Sequence, residues 1–314
     1  MNKAVALLSL TALIAGCQPI IPFNNPADQY PPGLRCFAYW GQKPIGSLEV
    51  DYIHDLSKRG DKACTMILGH MYLRGQGVAQ DIPQAKALYQ SVADVDPAAY
   101  AQLGRMAEKG IGGPPNLVEA RQFYQRAVTK PGNTDVEAKL AEFMEEGIGG
   151  PQDFQGALAH YLNAAGIVGG ASWKGMERMR AKGLPLTIEQ QQSYNNIFTN
   201  SVEYGVRKKI KAIKKTLAKE NMSVPASKTV RVQLEYTPGS LVPVSSLLES
   251  SGNGAIDQKV MQAFSDYRFP ADPIMPPGQK TYKAIAIVTP DEYDTLPSKK
   301  DLSLIHISEP TRPY

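Results

Sequence analysis

The sequence predicts a mainly α-helical chain, an α/α solenoid of helix pairs followed by a small α+β domain of the order helix, β-hairpin, helix, strand. Two observations predict it. Five residue columns recur at one common offset in the first half, and strand-like alternation starts only near residue 229. Leu68, Leu103 and Leu140 are 35 and then 37 residues apart, and the same offsets relate Gly75, Gly110 and Gly147. They also relate Asp81, Asn116 and Asp153, then Ala85, Ala120 and Ala157, then Tyr89, Tyr124 and Tyr161. A period of this size without strand signal is that of stacked helix pairs, each burying its apolar face against its neighbours.

Within a repeat the residue types set the elements. Leu68, Met71 and Tyr72 are spaced i, i+3, i+4, as are Leu103, Met106 and Ala107, and Leu140, Phe143 and Met144. This is one apolar stripe of a first helix. Gly69, Gly104 and Ala141 keep that helix small beside the stripe, where a partner backbone can approach. The stripe ends at Gly75, Gly110 and Gly147, because glycine accepts the left-handed conformation that closes a helix. Asp81, Asn116 and Asp153 suit the N-cap of a second helix, with Pro83 just inside it in the first copy. Ala85, Ala120 and Ala157, and one turn later Tyr89, Tyr124 and Tyr161, then form its inner face. A weaker first helix follows, with Met176, Met179 and Gly183.

Over residues 61–183 this pattern resembles the Sel-one-like subfamily of tetratricopeptide repeats, whose units read L-G-x-x-Y-x-x-G-x-G and then D-x-x-x-A-x-x-x-Y. The resemblance implies a protein-binding scaffold rather than an enzyme, and does not name the partner.

The first sixteen residues carry Lys3 and an apolar run from Ala4 to Ala15, too short to span a bilayer as a helix. Ile14-Ala15-Gly16-Cys17 resembles the lipobox of bacterial lipoproteins, which implies cleavage before Cys17 and its lipidation, with 1–16 as the signal peptide. Multiple acyl chains would anchor the protein stably. Gln18, rather than Asp, follows the cysteine, and the family's sorting rule then implies the outer membrane, facing the periplasm. Residues 17–45, rich in Pro and Asn, read as an extended lipidated tether. A short helix from Ser47 to Lys58 is expected to cap a repeat domain over 46–190. Cys36 and Cys64 either form a disulfide, as export permits, or Cys64 packs as a small apolar side chain one turn before Leu68.

From Tyr194, Ile197, Phe198, Val202, Val206, Ile210, Ile213 and Leu217 follow helical spacing, opposite a face carrying Arg207, Lys208, Lys211, Lys214 and Lys215. Such a helix is either the solvated cover of a sheet or a patch for an anionic partner. Val230, Val232, Leu234 and Tyr236 alternate with polar residues as in a half-buried strand. Thr237-Pro238-Gly239-Ser240 turns the chain, and Leu241 to Leu248 returns antiparallel, with Pro243 confined to an edge or bulge. A helix from Ala255 to Asp266 and a strand from Lys280 to Thr289 complete a domain over 191–290.

This order, with VRVQLEYTPGSLVPVSSLLESSGNGAID, Asp257 and Phe269-Pro270, resembles the C-terminal domain of the TonB and TolA proteins. The resemblance implies that partners pair with a sheet edge through the backbone. The candidate edge is the last strand, through Tyr282, Ala284, Ala286 and Val288, because Pro243 makes the second strand the poorer template. Residues 291–301 read as a tail. Residues 302–314 resemble the translation of a sequencing adaptor, so they are set aside and the natural chain is expected to differ beyond Asp301.

The net charge of +4 is too small to argue for nucleic acid. His54, His70 and His160 have no metal-ligand spacing, and no G-x-S-x-G, P-loop or dinucleotide fingerprint occurs. No catalysis, cofactor or metal is expected. The partners expected are other envelope proteins, the membrane through Cys17, and, as the rival reading, a polyanion or membrane surface at the basic helix 207–219.

Overall fold

The computed structural model describes residues 25–130, 132–275 and 277–290. The lipobox residues Ile14, Ala15, Gly16 and Cys17, and the segment 302–314, lie outside the described residues. The chain divides into two compact units, Met1–Ala99 and Tyr100–Tyr314.

In the first unit a 3-10 turn, Pro26–Gln29, leads into α1 (Pro32–Trp40), α2 (Ser47–Lys58), α3 (Lys62–Arg74) and α4 (Ile82–Val92). The extended tether expected over 17–45 is therefore corrected from Pro26 onward. Pro26 and Pro32 occupy the first turns of helical elements, where a missing N–H costs nothing and φ is already helical. Cys36 and Tyr39, three residues apart on α1, are buried against Ile53 of α2 and Ile67, Leu68 and Met71 of α3. A disulfide joins Cys36 to Cys64 of α3, with the Cα atoms 5.4 Å apart and both residues fully buried. The end of α1 closes an aromatic column on the first repeat. Trp40 stacks on His70 at 5.5 Å, and His70 meets the Tyr89 ring at 5.5 Å.

Helix α5 spans Pro97–Lys109. In the second unit come α6 (Leu117–Ala127), α7 (Thr134–Glu146), α8 (Phe154–Ala164) and α9 (Ala171–Ala181). The second helix of each repeat is capped alike: Asp81, Asn116 and Asp153 accept from the backbone N–H of Gln84, Glu119 and Gly156 at 2.9, 3.1 and 2.8 Å. First helices end at the glycine column, as at Gly147 with φ 69°.

Helix α10 runs unbroken for 32 residues from Ile188 to Lys219, about 48 Å at the helical rise. It starts at a capping box, Thr187 with Gln190, six residues earlier than the apolar spacing from Tyr194 suggests, and so crosses the 190/191 boundary read from composition. No proline interrupts it, and its glycine, Gly205, faces the Tyr267 ring. The sheet has the order β2-β1-β3, from β1 (Val230–Thr237), β2 (Ser240–Glu249) and β3 (Tyr282–Val288), antiparallel throughout. Helices α10 and α11 (Gly254–Phe264) cover one face of it, burying Val202, Val206, Ile213 and Leu217 with Val230, Val232, Leu234, Tyr236, Val260 and Phe264. The fold is mainly helical, helix pairs with a small three-stranded antiparallel sheet near the C-terminus.

Candidate interaction surfaces

The repeat columns converge on the tyrosines. Each packs its ring against a helix that has no side chain at that point: a Cβ on Gly104 would stand 2.5 Å from the Tyr124 ring, and one on Gly69 2.6 Å from Tyr89. The small residues thus admit a ring, not the partner backbone expected. In the third repeat Ala141 occupies that place, and Tyr161 lies on Gly175 of α9, where a Cβ would be 2.6 Å away.

The hydroxyls are tied as well. Tyr124 donates to Glu108 at 2.5 Å and Tyr161 to Glu145 at 2.6 Å. In the first repeat the residue matching these acids is Leu73, and Tyr89 pairs with His70 Nδ1 at 2.9 Å. Each acid also meets a cation two helices further on, Lys139 of α7 at 3.5 Å from Glu108 and Arg178 of α9 at 2.8 Å from Glu145. Burial and the bond to an acid push both tyrosines above the ordinary phenol range. Hydrogen bonds from Arg178 hold Glu145 below the usual carboxylate range, against the opposing effect of burial. Glu145, one of two adjacent acids at the end of α7, is thus a bound acceptor. The signal for it was its recurrence at the place of Glu108, five residues after the leucine column.

The buried positions Leu68, Leu103, Leu140, Ala85, Ala120 and Ala157 hold the helix pairs together and present nothing to solvent. Whatever binds the repeats meets the side chains between these columns.

In the C-terminal sheet both outer strands are edges. On β3 the side chains of Tyr282, Ala284, Ala286 and Val288 all face the core, opposite Tyr236, Leu234, Val232 and Val230. Only the backbone of this edge, with Lys283, Ile285 and Ile287, is available to a partner strand. On β2, Pro243 is buried where the pairing with β1 loses register between Glu235 and Thr237. This strand also exposes Val244 (71%) and Leu248 (52%), an apolar surface the alternation did not show. Leu248 is the extra residue at the register shift between Arg231 and Val232.

Where β2 passes into α11, Asp257 is 8% exposed and accepts from Ser250 Oγ, Ser251 N and Ser251 Oγ, the last two at 2.9 and 2.7 Å. Burial would raise its pKa, and these hydrogen bonds outweigh burial and lower it.

Of the basic residues on α10, Arg207 lies 3.6 Å from Glu203, and Lys214 Nζ donates to Thr289 Oγ1 at 3.2 Å. Lys208, Lys211 and Lys215 are exposed. Among the described residues no three His, Cys, Asp or Glu side chains group as metal ligands, and no helix is long and apolar enough to cross a membrane. His160 pairs with Glu137 at 2.5 Å, and His54 with the Tyr72 hydroxyl at 3.3 Å.

Comparison with known proteins assigns the repeats. Residues 63–94, 97–130 and 135–165 match the Sel1 repeat family model. Among solved structures, c5321, a protective antigen of uropathogenic Escherichia coli with an SLR fold, is 23% identical, with a TM-score of 0.43. That match covers 50% of this chain and 33% of the antigen, so the chain spans about a third of its length. A Sel1 repeat protein from Oxalobacter formigenes is 26% identical over 42% of this chain and 98% of its own, with a TM-score of 0.37. No curated protein matches the sequence.

Proposed function

We propose that this protein is a non-catalytic scaffold of a bacterial cell envelope, anchored by lipid at Cys17 to the outer membrane and facing the periplasm. The repeats hold one envelope protein and the C-terminal domain, similar in its sequence to the TonB and TolA C-terminal domains, holds another. The single observation that carries the scaffold reading is the set of three Sel1 repeats, a module of protein–protein interaction. The buried columns leave the intervening positions to vary with the partner. The lipobox Ile14-Ala15-Gly16-Cys17 supports the anchor.

The experiment is in-cell crosslinking of the lipidated protein followed by capture and mass spectrometry. A defined envelope protein crosslinked from repeat positions such as Gln122 or Gln125 is the expected result. Crosslinking only to lipid or polysaccharide would overturn the scaffold reading.

A second reading has one observation in its favour, the exposure of Lys208, Lys211 and Lys215 on α10. In it Arg207, Lys208, Lys211, Lys214 and Lys215 meet an envelope polyanion or membrane surface. Insertion into lipid is opposed by the use of the helix's apolar side, Val202, Val206, Ile213 and Leu217, in the domain core.

A further inference from the structure

Within the basic face of α10 the structure separates a row of lysines from their partnered neighbours. Lys208, Lys211, Lys215 and Lys219 are three, four and four residues apart, so they lie along one line of the helix surface. Tyr204, 68% exposed, stands four residues before the first of them on the same line. All four lysines are exposed, and none forms an ion pair with a described residue.

The charges to either side are already answered. Arg207 lies near Glu203 (3.6 Å), Lys209 near Asp266 (2.5 Å), and Glu220 near Lys259 (2.7 Å). Lys214 donates to Thr289. The positive potential of α10 is therefore concentrated in a strip one helix wide rather than spread over a broad face.

We propose that this strip docks an acidic helical segment of a partner protein, with carboxylates at the same spacing and an apolar group over the Tyr204 ring. A single file of cations at steps of about 5 Å matches the i, i+3/i+4 row of another helix, whose acids rise at the same pitch. A bilayer would call for a broad basic face or an apolar side free to insert, and α10 offers neither. The proposal rests on the scaffold reading and identifies the chemistry of one partner.

The test uses the full chain and fluorescently labelled, end-blocked alanine-rich peptides. In one peptide, glutamates stand three, four and four residues apart. In the other, the same glutamates are scattered round the helix. At low salt the in-register peptide is expected to bind about tenfold tighter than the scattered one, and raising the salt to 0.5 M to abolish most of that binding.

Lys211→Gln with Lys215→Gln should weaken the in-register peptide at least about fivefold, while Lys130→Gln with Lys174→Gln, which removes equal charge elsewhere, should not. Equal affinity for the two peptides overturns the proposal. So does unchanged binding by the Lys211/Lys215 variant, or binding of heparin or phosphatidylglycerol vesicles but not of the in-register peptide. The peptide comparison needs no variant to fold. Crosslinks made through the repeats are independent of this strip, so its failure would leave the scaffold reading standing.

Discussion

In the second repeat a glycine and a tyrosine make the tightest contact between the paired helices that the columns provide. Tyr124 is 1% exposed, lies on Gly104 and gives its hydroxyl to Glu108. Tyr124→Ala should therefore cost about 3 kcal/mol or more in chemical denaturation, combining a large cavity with a stranded acid. Gln125→Ala, one residue on and exposed, should change stability by about 0.5 kcal/mol or less. Gly104→Ala tests the same contact from the other side. It improves helix propensity by about 1 kcal/mol, yet it forces the Tyr124 ring to move. Net destabilisation is expected, and net stabilisation would show that the ring is not held there. Asp257 supplies the pH dependence. Its pKa is lowered on folding, so its contribution is complete above the unfolded carboxylate value near 4 and is lost as pH falls through the folded value. Asp257→Ala should destabilise at pH 7, and the gap to the wild type should narrow as the pH is taken below about 4.

Among the elements, α1 departs furthest from its composition. Its prolines suggest an extended tether, but they stand at first-turn positions, and the disulfide to α3 makes the segment part of the first unit's core. Cys36→Ser with Cys64→Ser should lower stability by about 3 kcal/mol, the loop-closure effect for a link of this separation, and non-reduced digests should contain the linked peptides. Free alkylation of both thiols in the mature protein would refute the link. The strands behave differently. Both β2 and β3 are edges, and the two are finished differently. Bulges disturb β2 at both ends, while β3 pairs with β1 in unbroken register from Tyr282 to Val288. Val244 is 71% exposed, so Val244→Lys should leave stability within about 0.5 kcal/mol, measured by thermal melting.

At the scale of the whole molecule the prediction concerns location. If Cys17 carries the lipid, Cys17→Ala should shift the protein from the outer-membrane fraction to the soluble periplasmic one, with its fold unchanged by circular dichroism. Retention in the membrane at the wild-type level would remove the anchor from the proposed function.

What the sequence determined by itself was everything that repeats or alternates. The columns, caps and terminators of the helix pairs are local, because a helix end is decided by the few residues around it, and three copies in register make the period unmistakable. The strands of the C-terminal domain were legible for the same reason, to within a residue or two at each end. What only the tertiary structure decided was which side chains meet across those elements. The Tyr161 ring crosses to Gly175, Glu145 is claimed by Arg178, and the lysines of α10 divide into paired flanks and an unpaired row. The Tyr161–Gly175, Glu145–Arg178 and Lys209–Asp266 contacts join groups 14, 33 and 57 residues apart in the chain. Spacing along a sequence sets the face on which a residue stands, but the element that packs against that face sets its partner.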